Sequence, residues 1–150
     1  MNIRRGALLA LLAMTVGVPI AQAQWVMVAR AASGRIQRME QQRSANNGGY
    51  DVASVILEAK ADKVYDTALK ALQAHSDKVT VTSSDAKKMI IKFTDGQQNA
   101  SLQATSLGPE VTQLMIASNA VESGQTGTSI VLQGVLKVCK DMNVTCTVEE

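Results

Sequence analysis

Four short runs between residues 78 and 118 alternate apolar with polar side chains, and turn signals separate them. A period of two is typical of strands that bury one face and leave the other solvated. Asp95-Gly96 is a strong hairpin signal, and Gly108-Pro109 marks another turn. The runs therefore predict an antiparallel meander. Its strands are Lys78–Thr82, Lys88–Thr94, Gln98–Ser106 and Val111–Ser118.

One further strand and two helices complete the predicted domain. Val52–Glu58 is rich in β-branched residues, whereas Asp62–His75 and Thr128–Met142 repeat apolar residues every three or four positions. The element order β-α-β-β-β-β-α predicts an α+β fold with a five-stranded antiparallel sheet. Short connections favour the strand order 2-3-4-5-1 with both helices packed on one face. With only five strands, a filled core is expected.

The first 23 residues have the features of a secretory signal peptide. Arg4 and Arg5 precede an apolar run, Gly6–Ile20, and Ala21-Gln22-Ala23 supplies the small residues of a cleavage site. The run is shorter than the roughly 20 residues that span a bilayer. We therefore predict cleavage after Ala23 and export, with the periplasm as the expected compartment. Residues 50–150 are predicted to form a single domain.

Residues 24–49 form the predicted N-terminal segment and linker. They carry four arginines and one glutamate, a net charge of +3, whereas residues 50–150 carry nine lysines and twelve acids, a net charge of −3. Apolar residues at three- and four-residue steps predict an amphipathic helix with a basic face, although Trp25–Val28 fits a short strand equally well. Ser44–Gly49 is predicted to be a linker. The apolar stripe consists of Trp25, Val28, Ala32, Ile36 and Met39.

This segment supplies the candidate contact residues. Trp25, Arg30, Arg35 and Arg38 are predicted to meet an anionic membrane surface or an acidic protein partner through residues 24–43. The alternatives are that the segment docks on its own acidic domain or that it is disordered, as many termini are.

The composition argues against several functions. Trp25, Tyr50, Tyr65 and Phe93 are the only aromatic residues after residue 23, too few for a nucleic-acid platform or a sugar-binding surface. His75 is the only histidine, so no histidine cluster can hold zinc. No nucleophile motif or paired carboxylates stand out, and the sequence predicts no cofactor, metal site or catalytic set.

Cys139 and Cys146 are the only cysteines. In an exported protein an even count predicts a disulfide. A redox pair usually has C-x-x-C spacing, and no histidine lies nearby to complete a metal site. Closing this short loop stabilises the fold by about 2–2.5 kcal/mol if the geometry is unstrained.

The segment Val55–Tyr65, VILEAKADKVY, carries a resemblance to known families. Its strand followed by a helix with the pattern apolar-Ala-x-x-x-x-Val-Tyr is similar to the opening of small exported bacterial domains of unknown function. It also resembles the opening of helix-grip (START-like) lipid-binding domains, although the two short helices that typically follow there are missing. The first resemblance implies a domain over most of residues 50–146, and neither implies catalytic residues.

Three functional hypotheses follow. The first is an exported, non-catalytic interaction or structural module. The second is a protein that binds a small apolar ligand, such as a lipid, between the sheet and the helices. It draws on the helix-grip resemblance and on small residues that leave room or permit tight packing, namely Ala53, Ala68, Ala100, Ala104 and Gly134. The third is an enzyme that uses His75 with a neighbouring acid.

Overall fold

The computed structural model describes residues 29–30, 32–41, 49–119 and 129–148. Within them a mixed seven-stranded sheet carries two helices on one face, in the strand order β3-β4-β5-β6-β2-β1-β7. The strands are β1 (Arg35–Gln41), β2 (Tyr50–Leu57), β3 (Thr80–Asp85), β4 (Ile90–Thr94), β5 (Asn99–Gly108), β6 (Val111–Asn119) and β7 (Thr147–Val148). The helices are α1 (Ala61–Ala74) and α2 (Ile130–Asp141).

The five predicted strands lie in the predicted order. They are β3, β4, β5, β6 and β2, and every pair of neighbours among them is antiparallel. The α+β class is confirmed, but the prediction of a five-stranded, wholly antiparallel sheet is wrong. Strand β1 pairs antiparallel with β2, and the two-residue β7 pairs parallel with β1. The sheet therefore gains two strands beyond the predicted edge.

The predicted helix over residues 24–43 is wrong for residues 35–41, which form strand β1. Residues 35–41 are extended, and the register places Ile36 opposite Val55 and Met39 opposite Val52. Since side chains alternate across a strand, Ile36 and Met39 lie on opposite faces of the sheet rather than on one helical stripe. The sheet thus extends into the segment predicted to precede the domain. Residues 1–28 and 42–48, which include the predicted signal peptide, Trp25 and most of the linker, lie outside the described residues.

The core lies between the helices and the face of the sheet that they cover, which we call the inner face. Alternate residues of β2, β4, β5 and β6 point into it, and the helices contribute buried residues at three- and four-residue spacings. The strand residues of this core include Ala53, Val55, Leu57, Ile91, Phe93, Ala100, Leu102, Ala104, Leu114 and Ile116. The helical ones include Val64, Tyr65, Ala68, Val131, Val135 and Val138.

A disulfide and a close backbone contact hold the C-terminal tail against β1. Cys139 and Cys146 form the predicted bond, with an Sγ–Sγ distance of 2.06 Å. Beyond it, the Thr147 amide donates to the Gly34 carbonyl at 2.9 Å. Gly34 has a φ of +77°, and a Cβ there would lie 2.7 Å from the Thr145 carbonyl oxygen. Only glycine tolerates both conditions, so residue 34 lets the tail approach β1.

Candidate functional site: a cleft between the helices and the sheet

An open cleft of about 450 Å³ lies between the C-terminal half of α1, the helix α2 and the inner face of β4, β5 and β6. Its volume falls in the range that small-molecule sites occupy. The cleft opens beside a core whose residues are almost completely buried, so the expectation of a filled core stays a prediction.

Apolar side chains form the floor and walls of the cleft. Phe93, Leu102 and Ile116 rise from three adjacent strands and are almost fully buried. Apolar residues of the two helices and of the chain before β3 line the sides. These are Ala68, Ala71, Leu72, Val79, Ile130 and Val138.

Three residues with short or absent side chains line the cleft on the two helices. Ala68 and Ala71 present single methyl groups on α1, and Gly134 presents none on α2. A Cβ on Gly134 would lie 2.8 Å from Cδ1 of Ile116, so α2 approaches β6 closely at that residue. Two of the small residues singled out from the sequence, Ala68 and Gly134, line the cleft, whereas Ala53, Ala100 and Ala104 do not.

Polar side chains surround the mouth of the cleft. Lys137 Nζ lies 2.6 Å from Oδ1 of Asp141, one turn further along α2. Asp95 Oδ1 accepts hydrogen bonds from the backbone amides of Gln97 and Gln98 at 2.9 and 2.7 Å, which holds the β4–β5 turn. The lining groups at the mouth are His75, Lys78, Asp95, Gln98, Gln133 and Lys137. The mouth therefore offers both donors and acceptors above an apolar floor.

His75 follows the last residue of α1 and lies at this mouth, which Asp95 also lines. Its backbone amide donates to the Leu72 carbonyl at 3.2 Å, and its imidazole is exposed. The imidazole makes no hydrogen bond or ion pair with another described residue. Nor do the described residues contain three or more histidines, cysteines or acids placed to hold a metal ion. The hypothesis of an enzyme that uses His75 with a neighbouring acid stays untested.

The candidate arginines do not share one surface. Arg35 and Arg38 are three residues apart in β1 and therefore point to opposite faces of the sheet. Arg38 Nε and Nη2 donate to the two carboxylate oxygens of Asp51 at 3.1 and 3.3 Å. Arg30 is exposed, and Trp25 lies outside the described residues. The basic helical face that motivated these candidates is absent over 35–41, and binding of a membrane or protein partner through residues 24–43 stays a prediction.

The Asp51 carboxylate links strands β1 and β2 to the start of helix α2. The carboxylate is buried on the inner face of β2, receives Arg38 from β1 and accepts a hydrogen bond from the Ser129 hydroxyl. Ser129 in turn caps α2, since its Oγ accepts from the Val131 amide at 3.2 Å. A negative charge at a helix N-terminus is favourable. The group therefore fixes where α2, one wall of the cleft, begins.

Sequence reasoning identified part of this site. The apolar face of α1 contains Ala68, Ala71, Leu72 and His75, and all four line the cleft. The lysines and glutamines of the mouth were not predicted, because they come from α2 and from two separate connections that share no motif. The sequence signal that could have identified Gln133 and Lys137 is their position near Gly134, the residue at which α2 approaches the sheet closely.

The fold defines the protein as an α+β sheet with two helices over a cleft on one face. It is similar to a conserved protein of unknown function from Enterococcus faecalis, with a TM-score of 0.52 and 12% identity over 81% of this chain and 84% of that one. This likeness shows the fold alone.

Two further solved structures are less similar. An aromatase/cyclase from a Streptomyces species has a TM-score of 0.37 and 13% identity, covering 72% of this chain and 85% of that one. CalU16 from Micromonospora echinospora has a TM-score of 0.40 and 7% identity, covering 75% of this chain and 99% of that one. No protein-family model matches the chain, and no curated protein matches its sequence. The resemblance to small exported bacterial domains stays a prediction.

In the part of the chain that the structure describes, no helix is long and apolar enough to cross a membrane.

Proposed function

We propose that this protein is an exported, non-catalytic binding protein whose cleft holds a small ligand with an apolar body and a polar end. One observation carries the proposal, the 450 Å³ opening with an apolar floor and a polar mouth. Burial of such a floor would exclude water from an apolar ligand, and the mouth would hydrogen-bond its polar end. The Cys139–Cys146 disulfide and the signal-like N-terminus support export.

The first hypothesis from the sequence, an interaction or structural module, is compatible with this proposal but less specific. The ligand-binding alternative is favoured because the helices and sheet leave a cleft where a purely structural domain would pack tightly.

The test is calorimetric titration of the protein with dodecanoate and, in parallel, with dodecanol. Burial of roughly 250 Å² of the probe's apolar surface gives about 6 kcal/mol before the cost of immobilising the probe, so a Kd in the tens of micromolar is the lower limit expected. We expect Leu72→Trp to weaken binding at least tenfold, because Leu72 is half-buried in the cleft wall and a larger side chain would fill the space.

Leu69→Trp is the matched control. Leu69 lies one turn earlier on α1, is also half-buried, and does not line the cleft. It should leave Kd within a factor of about two, with thermal unfolding used to verify that both variants fold. Equal loss of binding in the two variants would contradict the proposal, and so would the absence of a heat of binding in the unmodified protein at two well-separated temperatures, because apolar burial makes the enthalpy depend on temperature.

A further inference from the structure

The face of the sheet opposite the helices, the outer face, carries no charge on its three central strands. Alternate residues of β2, β6 and β5 point to it, and the β2–β6 and β5–β6 registers place them in adjoining rows. The twelve residues are Tyr50, Val52, Ser54, Ile56, Asn99, Ser101, Gln103, Thr105, Gln113, Met115, Ala117 and Asn119.

The centre of this face is apolar and exposed. Met39 of β1 lies opposite Val52, and Val52 lies opposite Ala117 in the next strand. Met39, Tyr50 and Met115 are 62%, 42% and 37% exposed, and they account for three of the six large hydrophobic residues exposed among the described residues. The apolar residues of adjacent strands thus form one patch rather than scattered positions.

The composition of the outer face matches that of a protein interface. Interface centres are depleted in charge and enriched in tyrosine and methionine, and uncharged polar groups are common at their rims. Here glutamine, serine, asparagine and threonine surround the methionines and Tyr50. A contiguous apolar patch of this kind on a protein surface marks an interaction site.

We infer that the partner is a second copy of this chain, packed face to face through the outer faces of the two sheets about a twofold axis. Such a contact brings the same face of both copies together, and the three central strands meet without like-charge repulsion because the charged residues of this face, Arg35 and Lys92, lie on the flanking strands β1 and β4. A charge-complementary partner would need charged residues that these three strands lack. Each cleft would remain open on the far side of its own sheet.

The available area supports this arrangement. The three central strands together with β1, spaced about 4.8 Å apart and about eight residues long, cover roughly 500 Å². Two copies would then bury roughly 1,000 Å², the lower limit for a specific interface. The association is therefore expected to be reversible and to depend on concentration.

Sedimentation equilibrium of the protein without detergent tests the inference, which is independent of ligand binding. We expect a dimer at about 100 µM that dissociates on dilution. Met115→Lys would bury two unpaired ammonium groups in the dimer and should raise the dissociation constant about 100-fold. Gln103→Lys, on the neighbouring strand of the same face, should act in the same direction.

Gln73→Lys is the control, because it adds the same charge at an exposed position of α1, on the other side of the sheet. It should sediment like the unmodified protein. A monomer at about 100 µM, or a dimer whose dissociation constant Met115→Lys and Gln103→Lys leave unchanged, would overturn the inference.

Discussion

Replacement of Ile36 by alanine should lower the free energy of unfolding by about 3 kcal/mol. Ile36 is fully buried in β1, between Val55 of β2 and Val148 of β7 in the sheet register. The substitution removes three buried carbon atoms and leaves a cavity that the sheet can close only in part. Urea denaturation followed by circular dichroism measures the change.

Met39→Ala in the same strand is the control. Met39 points to the outer face and is 62% exposed, so at concentrations below those of any dimer it should change stability by less than about 0.5 kcal/mol. Similar small effects at both positions would mean that residues 35–41 do not belong to the fold, as the sequence had suggested.

Replacement of Asp51 by alanine should cost about 2 kcal/mol. The change removes two hydrogen bonds from Arg38, one from Ser129 and a negative charge near the start of α2. The Arg38 side chain is 32% exposed, so water recovers part of its lost interaction. The loss should therefore be smaller than for a fully buried ion pair.

A double-mutant cycle separates these contributions. Arg38→Ala combined with Asp51→Ala should show a coupling energy of about 1 kcal/mol. Asp62→Ala, which removes an exposed carboxylate from the first turn of α1, should cost less than about 0.5 kcal/mol. If Asp51→Ala were no more destabilising than Asp62→Ala, the carboxylate would not hold β1, β2 and α2 together.

The five central strands could be predicted because their local signals agree with their burial. In β5, Ala100, Leu102 and Ala104 alternate with Ser101 and Gln103, and the structure buries the first set. The Asp95-Gly96 turn is present as well, with Gly96 at a φ of +91°. Because the connections between these strands are short, few topologies are possible, and the order of the strands could be predicted.

Strand β1 was not predicted, because the spacing of its apolar residues also fits a helix. Ile36 and Met39 are three residues apart, a spacing that places them on one side of a helix, and Ile36 is the only β-branched residue of RIQRMEQ. Pairing with β2 decides the conformation, so tertiary contacts override the local preference. Strand β7 spans two residues and leaves no periodic signal.

The sequence supported two interpretations of the space between the sheet and the helices, a ligand site and a filled core, and it favoured the filled core. Small residues such as Ala68 and Gly134 permit either a void or tight packing, and the choice depends on how α1 and α2 sit over Phe93 and Leu102. That arrangement arises from contacts between residues far apart in the sequence, which periodicity does not encode. The Asp51 cluster joins β1, β2 and α2 for the same reason without any motif.

The most direct measurement of the proposed function is nuclear magnetic resonance mapping of the protein with added dodecanoate. Amide signals of Ala71, Leu72 and Gly134 should shift together and saturate at one ligand per chain, because these residues face the cleft from both helices. Amides of Ser54 and Met115, on the outer face, should not follow that titration. Shifts confined to the outer face, or none at about 1 mM probe, would contradict a ligand site between the helices and the sheet.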